Sequence, residues 1–250
     1  MKLRPAVKTL AMLAFVSTFA LLNVGMVYAQ PVKAVVELYS SQGCGYCPPA
    51  NKLLSELSKK PNVIAMDFHV NIWDFMGWKD TLANKKNTDR QRAYALSRHD
   101  KGVYTPQAII NGKQDVAGND RQGLLETVEA QTPLSLDVNA RIDKTMLDVS
   151  VSGKAHPLEP TEADIYLLRL TKKKEVDIQG GDNAGKDMQY VNVVTDIIPI
   201  GMWMGKDTVL RFPKSALGEI NDNTQWVVLV QSMNTKGPGP ILGATKFEGI

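Results

Sequence analysis

The chain has 250 residues, with 29 lysines and arginines against 26 aspartates and glutamates, and a formal net charge of +3. Its length exceeds the roughly 150 residues typical of one domain and is short for two large ones, which favours a main domain with a smaller companion. Lys2, Arg4 and Lys8 lie in the first 29 residues; without that segment the chain carries 26 basic and 26 acidic residues. A near-neutral protein gives no electrostatic reason to expect a nucleic-acid partner.

The first 29 residues have the pattern of a secretory signal peptide. Residues 9–27 contain no charge, and Val27 and Ala29 stand at the −3 and −1 positions of a cleavage site after Ala29. Cleavage there predicts a periplasmic or secreted protein with no stable membrane insertion. The alternative is an uncleaved anchor, because the apolar run is near the ~20 residues that span a bilayer. Both alternatives lead to the same compartment.

Two apolar runs flank a helical pattern in the next segment. Residues 35–40 and 63–70 suit strands buried in a parallel sheet, with Glu37 as the polar exception. Between them, apolar residues recur at i, i+3, i+4 and i+7, which predicts an amphipathic helix that ends before Pro61. These residues are Ala50, Leu53, Leu54 and Leu57. The pattern predicts a βαβ unit whose first strand-to-helix turn holds both cysteines of the chain.

Residues 71–100 are expected to form an insertion of a loop followed by a helix. The loop is aromatic and includes Trp73 and Trp78, which either cover the cysteine site or pack beneath the loop. The helix is predicted to start at Thr88-Asp89-Arg90-Gln91, which has the capping-box pattern.

A hairpin and a last helix follow the insertion. Residues 108–110 and Val116 flank Asn111-Gly112, the strongest short signal for a hairpin turn. Asp120 can cap a helix that stops near Pro133. The order β-α-β-insertion-α-β-β-α, with the cysteines at the first turn, is that of a thioredoxin-like domain over residues 31–132.

Beyond residue 133 the pattern changes to short segments of alternating apolar and polar residues. Strands are expected at residues 134–142, 147–151, 165–170, 190–194, 209–212, 226–230 and 241–244. Short strands separated by turn residues predict a small sandwich-like all-β domain over residues 134–250. The expected fold class is therefore an α/β thioredoxin-like domain with a helical and aromatic insertion, followed by this β-rich domain. No residue of the second region is a candidate for catalysis.

Cys44 and Cys47 are the candidate catalytic residues. A thiolate is the nucleophile in disulfide exchange, and the start of a helix, where Cys44 is expected, stabilises that anion. Cys47 lies one helical turn later and can resolve a mixed disulfide by intramolecular attack. Gly45 and Tyr46, between them, are assigned to substrate binding.

Thr105 and Pro106 are the second part of the predicted site. In thioredoxin-like domains, which this order of elements resembles, the peptide before this proline is usually cis, and cis bonds are largely confined to X-Pro. The resemblance therefore implies a cis peptide before Pro106 and a Thr105 backbone that holds an extended substrate segment beside the cysteines. Glu37 stands one position away from the buried acid that thioredoxins carry six residues before the first cysteine. It either accepts a proton from the resolving thiol or is an edge or solvated residue.

Several motifs together point to one family. They are Cys47-Pro48-Pro49-Ala50, His69-Val70-Asn71-Ile72-Trp73-Asp74, Gly77-Trp78-Lys79-Asp80 and Val103-Tyr104-Thr105-Pro106-Gln107, with further similarity at residues 181–185 and 190–194. The chain resembles predicted secreted bacterial proteins with a thioredoxin-like fold, catalogued as a domain of unknown function. The family often carries two serines between the cysteines, whereas Gly45-Tyr46 with Thr105 is similar to periplasmic disulfide isomerases, whose N-terminal dimerisation domain this chain lacks.

The leading hypothesis is an exported thiol–disulfide oxidoreductase that acts on protein thiols and disulfides without a cofactor, with a redox partner that the sequence does not identify. One alternative is a non-catalytic thioredoxin-like binding module. Another is a copper- or zinc-handling protein that uses the two thiolates, with Met202 or Met204 as a further copper ligand. Two cysteines exclude the usual four-cysteine and three-cysteine zinc sites, and the three histidines are scattered in sequence. We therefore assign no metal site.

Overall fold

The computed structural model describes residues 30–248, so the predicted signal peptide at residues 1–29 lies outside the described part of the chain. The α-helices in residues 30–248 are Cys47–Leu57 (α1), Lys85–Arg98 (α2) and Arg121–Glu129 (α3). The strands are Ala34–Ser40 (β1), Val63–His69 (β2), Gln107–Ile110 (β3), Gln114–Ala117 (β4), Leu136–Ile142 (β5), Met146–Gly153 (β6), Ala163–Ile178 (β7), Lys186–Trp203 (β8), Thr208–Pro213 (β9), Thr224–Asn234 (β10) and Gly237–Phe247 (β11). None of the helices within 30–248 combines the length and apolar character that crossing a bilayer requires.

The predicted βαβ unit and the hairpin after it are confirmed. β1 and β2 pair in parallel, and the four predicted apolar residues of α1 are buried. β3 runs antiparallel to β1 and turns into β4. Asn111 and Gly112 have φ angles of 51° and 66°, the two positive values that a type I′ hairpin turn requires. The second helix begins earlier than predicted, because the Asn84 side chain caps it by accepting from the Asn87 N–H.

A mixed sheet of eight strands forms the centre of the described chain. Its order is β11-β10-β7-β8-β2-β1-β3-β4, and a separate sheet has the order β5-β6-β9. β7 and β8 form a long antiparallel hairpin of 16 and 18 residues, and β8 joins β2 in parallel where Asp67 lies opposite Val193. The smaller sheet packs against β7, β10 and β11 through a core that includes Trp203 and Trp226.

The predicted fold class is wrong. The described structure is mostly β, with 45% strand and 20% helix, and it is not an α/β thioredoxin-like domain followed by an all-β domain. Strands that were expected in the sandwich continue the same sheet as β1 and β2. The physical reason is that β8 pairs with a strand more than a hundred residues earlier, and such long-range pairing leaves no local pattern in the sequence.

The two faces of β1 and β2 are covered by different helices. Alternate side chains of a strand point to opposite faces. Val36 and Leu38 pack with α1, whereas Val35 and Tyr39 belong to the core that includes Tyr94 of α2. The cysteines, at the start of α1, therefore belong to the first of these faces, which we call the α1 face; the other is the α2 face.

Candidate functional site

Both cysteines lie at the turn from β1 to α1. Cys47 is the first residue of the helix and Tyr46 is its N-cap, so Cys44 precedes the helix by three residues instead of opening it. The Cys47 N–H donates to the Cys44 carbonyl oxygen at 3.1 Å, which closes the turn. The two thiols are unbridged, and Cys44 and Cys47 are 4% and 1% exposed.

The pKa values of the two thiols move in opposite directions. The pKa of Cys44 falls to about 6 because the Cys47 thiol hydrogen-bonds to its sulfur; burial opposes this, and Thr105 and the backbone N–H groups of Tyr46 and Cys47 lower it further. The pKa of Cys47 is raised well above its usual value by burial, then by its hydrogen bond to Cys44. The pair can therefore hold one proton between two sulfurs at neutral pH, with the anion on Cys44.

Thr105 lies beside the cysteines in the structure, and Pro106 follows it in the chain. Both residues were predicted to belong to the cysteine site. The Thr105–Pro106 peptide is cis, as expected. The Cys44 sulfur lies 3.6 Å from the Thr105 carbonyl oxygen. Trp73 donates its indole N–H to the Thr105 hydroxyl oxygen at 2.6 Å, which leaves the hydroxyl hydrogen available to the thiolate. One tryptophan of the insertion thus orients a hydroxyl group that hydrogen-bonds to the Cys44 sulfur.

Gly45 and Tyr46 have different surroundings. A side chain at position 45 would start 3.1 Å from the Asp182 carboxylate, so glycine allows this close approach. Tyr46 is 73% exposed, and Phe75 of the insertion is 76% exposed. Since the ring of Phe75 lies 6.0 Å from that of Trp73, exposed aromatic side chains are presented on the same side as the turn that holds the thiols.

The tip of the β7–β8 hairpin contacts the cysteine turn, which the sequence reasoning missed. A short 3-10 helix, Gly181–Asn183, forms the tip. The Asn183 side-chain amide is 1% exposed and donates to the carbonyl oxygens of Gln42 and Cys44 at 2.9 and 2.8 Å. The motif at residues 181–185 was the available signal, but nothing in it indicates a contact with a turn so distant in sequence.

A buried polar network lies on the α1 face beneath the cysteines. Asp67 accepts hydrogen bonds from Ser40 at 2.6 Å and from Asn51 at 2.9 Å. Asn51 stands one helical turn after Cys47, on the same side of α1. His69 contacts Asp80 through Nδ1 at 2.8 Å and Asp67 through Nε2 at 3.4 Å.

The two carboxylates keep the buried histidine protonated. Burial opposes the charge, but Asp67 and Asp80 together raise the pKa of His69 to about 10. Burial likewise opposes the Asp80 charge, and His69 with the Gln42 and Leu82 N–H groups holds the pKa of Asp80 below its usual range. Because Asp80 also accepts from the Gln42 N–H at 2.7 Å, the network connects to the chain two residues before Cys44.

Trp78 anchors the insertion to the same segment. Its indole N–H donates to the Gln42 side-chain oxygen at 2.8 Å, and that oxygen also accepts from the Thr81 N–H at 3.1 Å. Trp73 and Trp78 therefore hold the insertion against two sides of the cysteine turn, and both indole N–H groups are used in doing so.

Glu37 lies on the α2 face, away from the cysteines. Arg90 donates to one of its carboxylate oxygens at 2.6 Å, and the Tyr39 hydroxyl donates to the other at 3.3 Å. Of the two open alternatives for Glu37, neither matches this geometry: it is a buried ion-pair partner. The buried carboxylate on the α1 face is Asp67, two residues from the position on β2 where His69 ends the strand.

The residues considered for metal binding are far apart. Met202 lies near the end of β8, and the hairpin tip that touches the cysteines lies before its beginning. Across residues 30–248 there is no group of three or more histidine, cysteine, aspartate or glutamate side chains arranged to hold a metal ion.

Comparisons with known proteins identify one family and two similar solved structures. A family model described as a protein of unknown function (DUF1223) matches residues 35–231. The crystal structure of protein AGR_C_4864 from Agrobacterium tumefaciens is 32% identical with a TM-score of 0.77, covering 88% of this chain and 96% of that one. HBP35 of Porphyromonas gingivalis is 14% identical with a TM-score of 0.61, covering 87% and 75%, a likeness of fold alone. No curated protein matches the chain.

Proposed function

We propose that the chain, which belongs to the DUF1223 family of proteins of unknown function, is an exported thiol–disulfide oxidoreductase that acts on protein disulfides. Export is supported by the signal-peptide pattern of residues 1–29. The substrate class is supported by the exposed aromatic side chains of Tyr46 and Phe75 near the thiols, because such side chains are well suited to contact another polypeptide. The fold-class prediction plays no part in this proposal.

One observation carries the proposal: two neighbouring free thiols with opposite pKa shifts. A structural cysteine pair needs no anion, and a buried thiol is normally made less acidic. Here Cys44 is nearly buried and its pKa is nevertheless lowered to about 6. Perturbed pKa values that run against burial are typical of reactive sites.

The reaction follows from these two thiols. The Cys44 thiolate attacks one sulfur of a substrate disulfide, a mixed disulfide forms, and the other substrate sulfur leaves as a thiolate. Cys47 then loses its proton and attacks the Cys44 sulfur, which releases the second substrate thiolate. The substrate gains two electrons and the protein ends with a Cys44–Cys47 disulfide. An external dithiol must reduce that disulfide before another cycle, and the same steps in reverse oxidise a substrate dithiol.

The proton of Cys47 requires an acceptor, and we assign that role to Asp67. It is the buried carboxylate on the face of the sheet that α1 covers, and Asn51, one turn after Cys47, donates to it at 2.9 Å. Tyr190 packs edge-on against His69 at 4.6 Å, and its pKa is raised by burial and then by the charges of Asp67, Asp80 and Cys47. The tyrosine therefore lies within electrostatic range of both the resolving thiol and the acids.

Single-cysteine variants test the proposed reaction. Reduced protein should reduce an insulin disulfide, and Cys44→Ser should abolish this activity. Cys47→Ser should form mixed disulfides that non-reducing gels and mass spectrometry detect, since the second step is blocked. Cys44→Ser is the matched control for trapping, because it retains only the thiol of Cys47, which is the more buried of the two.

The alternatives lead to different results. A binding module would give no adduct with Cys47→Ser and would keep its partners under reducing conditions. A metal-handling protein would contain stoichiometric zinc or copper when purified reduced. Wild-type protein that is inactive towards every dithiol and disulfide tested, with no trapped adduct, would contradict the proposed function.

A further inference from the structure

Asn183 is a buried side chain that reaches the cysteine turn from a distant part of the chain. It lies at a hairpin tip, where side chains are normally exposed, yet it is 1% exposed. Both hydrogens of its amide are used, one for the carbonyl oxygen of Gln42 at 2.9 Å and one for that of Cys44 at 2.8 Å. Its own oxygen accepts from the Lys186 ammonium at 2.9 Å, which sets the orientation of the amide.

The turn around Cys44 needs such support because glycine stands on both sides of it. Gly43 and Gly45 leave the backbone with more conformational freedom than any other residue would. The amide of Asn183 holds a carbonyl oxygen on each side of the Gly43–Cys44 segment. It therefore restrains the dihedral angles that decide where the Cys44 side chain points.

That direction matters for the thiolate. The backbone N–H groups of Tyr46 and Cys47 contribute to the lowered pKa of Cys44, and a hydrogen bond to an anion depends on distance and angle. The Cys44 carbonyl oxygen that Asn183 holds also accepts from the Cys47 N–H. A shift of this carbonyl would move both N–H groups relative to the sulfur.

The hairpin tip is built to approach this closely. Gly181 has a φ of +70°, and a side chain there would start 3.3 Å from the Cα of Gly43. Only glycine adopts that conformation without strain and leaves room for the turn. The backbone conformation of the tip thus allows the close approach, and Asn183 is the residue of the tip that hydrogen-bonds to the cysteine turn.

We propose that Asn183 is a positioning residue that holds the Cys44 turn in the conformation in which the thiolate is stabilised. The hairpin from the C-terminal half of the chain is then part of the reactive site. This inference rests on the proposed function for its biological meaning, but it concerns the acidity of Cys44 and can be tested even if no substrate is found.

The test is the pH dependence of Cys44 alkylation in Asn183→Ala and Asn183→Leu. Each variant loses the two donated hydrogen bonds, and the second keeps about the size of the side chain without adding a charge near Cys44. We expect the inflection of the Cys44 alkylation rate against pH to move up by at least about 1 pH unit. At a pH well below this inflection, the alkylation rate should therefore fall about tenfold. Rates at pH 10, where Cys44 is ionised in every variant, should agree within about twofold.

Asn192→Ala is the matched control. Asn192 lies on β8 and donates to the carbonyl oxygen of Ala65 in β2 at 2.9 Å, so its removal weakens the contact of the hairpin with β2 without removing a bond to the cysteine turn. It should lower Tm and leave the alkylation inflection of Cys44 unchanged. An inflection that shifts equally in the control would assign the effect to general loosening and overturn the proposal.

A second measurement uses the wild-type protein and does not depend on variant folding. In NMR spectra, the side-chain NH2 resonances of Asn183 should follow the titration of Cys44, whereas those of Asn192 should not. Resonances of Asn183 that do not respond, or folded Asn183 variants with the wild-type inflection, would overturn the inference. If the inflection shifts as expected but the wild type exchanges no disulfide, the proposed function fails and the positioning role stands.

Discussion

The two faces of the β1–β2 pair carry buried polar networks of different kinds. On the α2 face, Arg90 donates to Glu37 at 2.6 Å, to Gln231 at 2.7 Å and to Tyr94 at 3.2 Å. Its guanidinium also lies 5.1 Å from the Tyr94 ring. On the α1 face, His69 is held between two acids, with Nδ1 2.8 Å from Asp80 and Nε2 3.4 Å from Asp67.

The difference indicates separate roles. The α2-face network joins one acid and one base and uses their hydrogen bonds to connect β1, α2 and β10, which suits structural support. The α1-face network has two acids for one base, and Cys47 opens the adjoining helix. Buried ionisable groups with strongly shifted pKa values are typical of sites where a proton moves. The comparison predicts that damage to the α2 face affects stability alone, whereas damage to the α1 face also affects thiol chemistry.

Arg90→Met should have the largest effect. It leaves the Glu37 carboxylate buried without its partner, which costs about 3–5 kcal/mol of unfolding free energy. Urea denaturation measures the loss, and Arg92→Met, at an exposed position of the same helix, should change stability by less than about 0.5 kcal/mol. In folded Arg90→Met protein, the alkylation inflection of Cys44 should remain near that of the wild type; a shift above 0.5 pH unit would break the separation of the two faces.

Asp67→Asn should slow the resolving step with a smaller effect on stability. The isosteric amide cannot take up the Cys47 proton, and loss of a proton acceptor typically costs about 100-fold or more in rate. Quenched-flow analysis of mixed-disulfide decay measures this step. Glu37→Gln is the matched control on the other face and should leave decay unchanged; equal decay in wild type and Asp67→Asn would remove Asp67 from the mechanism.

The charge of His69 predicts how stability depends on pH. Its folded-state pKa of about 10 exceeds the unfolded value of about 6.5. The stabilisation is therefore complete below about pH 6.5 and is lost as pH rises towards 10, by up to about 1.4 kcal/mol per pH unit. Cys44 acts in the opposite sense, because its lowered pKa makes the folded state bind fewer protons between pH 6 and 9.

This pH prediction is best tested in a Cys44→Ser/Cys47→Ser background, where no thiol titrates. Unfolding free energy should fall between pH 7 and pH 9, and the additional change His69→Gln should flatten that slope. A slope that survives the loss of His69 would show that another group is responsible.

Trp73→Phe should have the smallest effect. It removes the indole N–H that donates to the Thr105 hydroxyl at 2.6 Å and keeps an aromatic ring. Loss of this bond should cost about 1 kcal/mol of stability and raise the Cys44 alkylation inflection by a few tenths of a pH unit, since the hydroxyl is less well oriented towards the thiolate. Trp78→Phe loses a bond to Gln42 instead. It should lose about as much stability as Trp73→Phe and leave the Cys44 alkylation inflection unchanged.

Local features of the sequence predicted the local parts of this site. The spacing of Cys44 and Cys47, the stripe of α1 and the Asn111-Gly112 turn each depend on residues close together in the chain, and the structure has α1 and the hairpin at those places. The cis Thr105–Pro106 peptide was expected from the resemblance to thioredoxin-like domains and not from local pattern alone. The predicted start of α2 at Thr88 is wrong. The helix begins at Lys85, because the Asn84 side chain caps it.

The fold class and half of the site depended on long-range pairing, which local patterns do not record. β7 and β8 contain charged and turn-forming residues, such as those at 172–175 and Pro199. This pattern predicts short separate strands instead of one long hairpin. The tip of this hairpin brings Asn183 to Cys44 across 139 positions of sequence. The sequence predicts Asp67 only as part of a buried strand. Its neighbours along β2 give no sign that Asn51 of α1 hydrogen-bonds to it.

The central claim is that Cys44 is held as a reactive thiolate, and its pKa in the wild-type protein is the most direct test. Reduced protein is treated with iodoacetamide between pH 4 and pH 10, and the Cys44 modification rate is followed by mass spectrometry. The account predicts an inflection near pH 6. An inflection near 8.5, the value of an ordinary cysteine, would contradict it.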